Sequence, residues 1–77
     1  MRTKVKLKDG ESLNLVGHRT KGTMAEMDIY DYVVMDSFGV IVGKVEYTDH
    51  TAIRGFHRTQ RLKQVDNLGN VIIEETW

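Results

Sequence analysis

The sequence has no cysteine and no proline in its 77 residues. The first absence excludes disulfides and cysteine-based metal knuckles, the usual reinforcements of so small a domain. The second removes a common way of blunting the edge of a β-sheet. Charge of one sign is also missing. Eleven basic residues balance eleven acidic ones, which excludes a bulk electrostatic pull toward nucleic acid. No apolar run approaches the ~20 residues of a membrane helix, so no membrane association is expected. The first eight residues alternate lysine with valine and leucine, unlike the charged-then-apolar layout of a secretory signal. A reducing cytoplasm is the expected setting.

What is present is a strand pattern in a chain long enough for one small β domain spanning residues 1–77. A domain of this size buries only about 60–65% of its unfolded surface, so homo-oligomerisation is an expected remedy. Val5 and Leu7, then Leu13 and Leu15, alternate with polar residues on either side of Asp9-Gly10. This predicts a hairpin pairing Val5 with Leu13 and a left-handed Gly10. Residues 16–26 read as a polar connection. Residues 27–35 and 40–47 are apolar on both faces around Asp36-Ser37-Phe38-Gly39, predicting a central strand pair in which Val34 meets Val42 and Met35 meets Ile41. The same Asp-x-x-Gly turn recurs at Asp66-Asn67-Leu68-Gly69. It predicts that Val65 pairs with Val71 and that Arg61 lies opposite Glu75. The fold class is therefore all-β: a small antiparallel sheet or partly closed barrel of about six strands, built from three hairpins. A helix over residues 50–64 competes, but Gly55 is central to it and its apolar stripe is short.

The stretch least explained by packing is Tyr47 to Lys63, with Arg54, Arg58, Arg61, Lys63, His50 and His57 against one carboxylate, Asp49. The triplet His-Arg-Thr occurs there as His57-Arg58-Thr59 and earlier as His18-Arg19-Thr20. Arginine offers a planar fork of donors suited to phosphate, threonine a hydroxyl and histidine a switchable donor. A ligand site drawn from Arg54, His57, Arg58, Thr59, His50, Thr51, His18, Arg19, Thr20 and Lys21 is the resulting expectation. It requires the two segments to lie on the same side of the fold. Tyrosines 30, 32 and 47 and Phe56 are candidates for stacking on a base, with core packing as the alternative.

Catalysis and metal binding find little support. Gly17-x4-Gly22-Thr23 lacks the lysine and following helix of a phosphate loop. Asp49 and His50 are adjacent, so on a strand they point to opposite faces. The three histidines do not show a familiar zinc-ligand spacing. Neither cofactor nor metal is expected. In its lack of proline, cysteine and enzyme signature, the chain is similar in character to short accessory proteins of phages and other mobile elements. The function expected is a non-catalytic binding module for a phosphate-bearing ligand, either a nucleotide or a nucleic-acid backbone. The alternative is a protein-interaction or inhibitor domain, for example one blocking a host defence effector, with Trp77 anchoring the contact. A small hydrolase using His50 or His57 is a third reading.

Overall fold

The computed structural model describes residues 4–22, 25–52 and 58–77. They form one open antiparallel sheet of five strands in chain order: β1 (Ser12–Lys21), β2 (Ala25–Met35), β3 (Ile41–Ala52), β4 (Arg58–Asp66) and β5 (Val71–Thr76). The all-β expectation holds. The strands number five, and the sheet stays open. β3 and β4 account for most of residues 50–64 as strand, and residues 53–57 lie outside the described set. Among the described residues no helix is long and apolar enough to cross a membrane.

The two Asp-x-x-Gly turns form as read. In each, the aspartate Oδ1 accepts from the backbone N–H groups two and four residues ahead: Phe38 and Val40 for Asp36, Leu68 and Asn70 for Asp66. Gly39 and Gly69 follow with φ of 77° and 86°, the left-handed region where glycine carries no Cβ penalty. Met35 pairs with Ile41, and Val65 with Val71, as the three-residue loops require.

Beyond the turns the register slips by one. Val34 meets Gly43, not Val42, and Arg61 meets Thr76, not Glu75. The cause is one extra residue on the returning strand in each hairpin, Val42 and Ile72, with a third at Val16 in β1. Such bulges re-aim every side chain beyond them. Gly43, just past one bulge, shows why this position carries no side chain: a Cβ there would lie 2.7 Å from the Val65 carbonyl oxygen. Gly43→Ala is therefore expected to destabilise the sheet by about 1–3 kcal/mol, read as a lower urea midpoint.

The first hairpin is a correction. Gly10 is left-handed (φ 81°) and the turn closes, with the Glu11 N–H donating to the Lys8 carbonyl at 3.0 Å. Leu13, however, pairs with Val34 of β2, and Val5 does not join the sheet. Residues 16–21, expected as a loop, are the second half of β1. The segment before Asp9 instead lies across one face of the sheet. There Val5 packs on the buried cluster Leu13, Val34, Val45, Tyr47 and Leu62. The buried Gln64 clamps the segment: the Lys6 N–H donates to Gln64 Oε1 (2.9 Å), and Gln64 Nε2 donates to the Lys6 carbonyl (2.8 Å). A one-layer sheet with an apolar face needs a cover, and this strap supplies part of it. The opposite face has no covering segment among the described residues.

Candidate functional site

Directly paired residues of an antiparallel sheet share a face, so the register sorts the candidates. His18 pairs with Tyr30 and Tyr30 with Tyr47; Thr20 pairs with Asp28 and Asp28 with Asp49; Thr51 pairs with Arg58. These stand on the covered face. Lys21 pairs with Met27, Met27 with His50, and His50 with Thr59. Arg19 pairs with Ile29, Ile29 with Thr48, Thr48 with Arg61, and Arg61 with Thr76. These stand on the open face. Each His-Arg-Thr triplet is thus split by alternation, at least over its described residues. Arg54 and His57 lie outside the described residues.

On the covered face His18, Thr20 and Arg58 are engaged with neighbouring side chains of the sheet. The rings of His18 and Tyr30 stack at 4.4 Å and 1°, Tyr30 and Tyr47 follow at 5.8 Å, and Tyr47 and Trp77 at 6.3 Å. This aromatic row crosses the sheet from β1 to the residue after β5. It ends under Lys4, whose Nζ lies 4.7 Å from the Trp77 ring, a cation–π contact. Two tyrosines and the tryptophan are thereby used in packing. Asp28 and Asp49 face each other directly, an unfavourable pairing of like charges. Each has its own counterweight. Asp28 Oδ1 accepts from Thr20 Oγ1 at 3.1 Å and meets His18 Nε2 at 3.2 Å. Asp49 takes a two-pronged pair from Arg58, at 2.9 and 2.7 Å.

That pair sets the local titration. Hydrogen bonding from Arg58 holds the Asp49 carboxyl below its ordinary value, and Asp49 in turn raises Arg58. Burial, reinforced by the Asp49 charge, raises the Tyr47 phenol, whose hydroxyl donates to Gln60 Oε1 at 2.6 Å. In the turn, hydrogen bonds from Asn70 are the main cause lowering Asp66. Asp49 and Asp66 therefore bind protons more weakly folded than unfolded. Their stabilisation is complete above the unfolded value, about pH 4, and is lost as pH falls through the lower folded values. The thermal midpoint is expected to drop steeply on acidification below about pH 4, and less steeply in the Asp49→Asn, Asp66→Asn double variant. An unchanged slope would remove these two carboxylates as the cause.

On the open face the arrangement differs. Two neighbouring rows at the β1 C-terminal end hold Lys21, His50 and Thr59, then Arg19, Thr48, Arg61 and Thr76, with only Met27 and Ile29 as apolar members. Neither row contains a carboxylate. The next row does, as Asp31, Glu46 and Glu74 around Lys63. Arg19 reaches back to Asp31 at 3.3 Å and Arg61 to Glu74 at 3.4 Å. These single, half-exposed contacts contribute little and leave most of each guanidinium's donors available. Of the ten candidates, this surface collects Arg19, Lys21, His50 and Thr59. It adds Arg61 and Thr48, which strand alternation alone could have joined to Thr59 and His50. No protein-family model matches the chain, and no curated protein or solved structure shows a significant likeness to it.

Proposed function

We propose that the protein is a non-catalytic binding module that captures a phosphate-bearing ligand on the carboxylate-free end of its open face. The supporting observation is the pair of adjacent rows just described, which bring three cationic side chains, one histidine and three threonine hydroxyls together without an acid. Neighbouring strands lie about 4.8 Å apart, so the row from Lys21 on β1 to Thr59 on β4 spans roughly 14 Å at its base. That width suits an extended anion with more than one phosphate, a nucleotide or a stretch of nucleic-acid backbone. Guanidinium and ammonium groups supply charge-assisted donors, and the hydroxyls supply neutral ones. Met27 and Ile29 provide an apolar floor between them.

Calorimetric titration with ATP and with a single-stranded oligonucleotide tests this reading. Lys21→Glu and Arg61→Glu should each weaken binding about tenfold or more, the scale of one lost charge-assisted hydrogen bond. Lys8→Glu makes the same charge change away from the site and should leave binding unaltered. With the oligonucleotide, affinity should also fall steeply with salt. Absence of binding to either probe, or equal losses from all three variants, would refute the assignment.

A further inference from the structure

The open face carries a second unexplained feature, at its centre. Lys44 and Glu46 stand on this face two residues apart on β3, the middle strand. Both are exposed, and neither takes part in an ion pair among the described residues. Glu46 is placed badly for a lone sheet, since it pairs directly with Asp31, a like-charge neighbour. Its other neighbour, Lys63, turns to Glu74 at 3.8 Å. Lys44 stands between Val33 and Val65. Lys44 and Glu46 border a hollow that Val16, Val33 and Val65 line together with Asp31 and Lys63, and Ile41 and Val71 are exposed toward the turns.

We infer that this face binds a second copy of the same chain, sheet against sheet, about a twofold axis passing over Val45. Lys44 and Glu46 flank Val45 by one residue each, so such an axis exchanges their positions. Lys44 of each copy then meets Glu46 of the other. A twofold contact is reciprocal in this way, each patch meeting itself reversed. An identical chain laid antiparallel satisfies both charges at once. The contact also answers the Asp31–Glu46 repulsion and gives the one-layer sheet a second layer, at the roughly 10 Å spacing of packed sheets.

The size is sufficient for a specific but weak dimer. An overlap reaching four residues either side of Val45 is about 27 Å long, across a molecule 20 Å wide. Two copies would remove on the order of 1,100 Å² from water, the lower end of specific interfaces. The row through Lys21, His50 and Thr59 projects beyond the overlap, whereas the row through Arg19, Thr48 and Arg61 lies within it, so a bound polyanion and the second copy compete for that row. The dimer is tested without any ligand.

Sedimentation velocity over a concentration series is the test, with circular dichroism confirming that each variant is folded. Wild-type protein should pass from monomer to dimer in the micromolar range. Lys44→Glu and Glu46→Lys should each raise the dissociation constant about tenfold or more. The double swap, Lys44→Glu with Glu46→Lys, should bring it back to within about threefold of wild type, because the reciprocal pairs are rebuilt with signs exchanged. A wild-type chain that stays monomeric throughout overturns the inference. So does a dimer indifferent to both single reversals, or a folded double variant that does not recover.

Discussion

Leu62→Ala is expected to lower the stability by about 2–5 kcal/mol, the range for deleting a fully buried leucine side chain. Leu62 is 0% exposed. It stands opposite Tyr47 on β3 and Glu75 on β5, in the one cluster where Leu13, Val34 and Val45 also meet. A single-layer sheet has few atoms able to collapse into the space left behind, which places the cost toward the upper half of the range. Small domains hold only about 5–15 kcal/mol in all, so this one change should remove a large share of the folded state's margin. Urea unfolding followed by circular dichroism measures it. Leu68→Ala is the matched control. Leu68 is 83% exposed, and its loss should change stability by no more than about 0.5 kcal/mol. A small effect at Leu62 would mean that the covered face is not the core.

The second large effect is expected at Gln64, a polar residue only 2% exposed. Its amide meets both the N–H and the carbonyl of Lys6, as a neighbouring strand would. Gln64→Ala leaves those two groups without partners unless the strap lifts into water. Keeping the strap down costs about 1–3 kcal/mol for each unsatisfied group. Lifting it uncovers the apolar surface under Val5. Either way a loss of about 2–4 kcal/mol is expected. Trp77 is the only tryptophan and stacks under Lys4 of the same strap, so its fluorescence reports which outcome occurs. Release of the strap should change the Trp77 emission before global unfolding, and the Lys6 amide should lose its hydrogen-exchange protection. Full retention of that protection would show that the clamp is dispensable.

How much of this was legible beforehand follows from the range over which each signal acts. The Asp36 and Asp66 turns were readable because aspartate bonds its own backbone and glycine takes the left-handed φ, both within five residues. The bulges at Val42 and Ile72 were not. An extra apolar residue in an apolar run leaves no mark on the pattern, yet it moved Arg61 from Glu75 to Thr76. Val5 and Leu7 misled for a related reason. Alternation describes a strand in a ladder and a strap laid across a sheet equally well, and only the distant Gln64 decides between them. The candidate site had the same limitation. Arginines and threonines at the open end were recognisable as donors, but their faces depend on register. The triplets that looked like units are divided between two surfaces.

The strands also follow one another in space as they do in sequence. Every pairing therefore closes a short loop, and each hairpin can zip onto the last at small entropic expense. The exceptions are the strap's contacts, which join residues 58 positions apart at Lys6 and Gln64 and 71 apart at Lys4 and Glu75. These cannot form until nearly the whole sheet is in place. The strap should therefore be the last part of the molecule to fold and the first to let go. The strap is held by β4 and β5, and the covered face is sealed only once β5 has arrived.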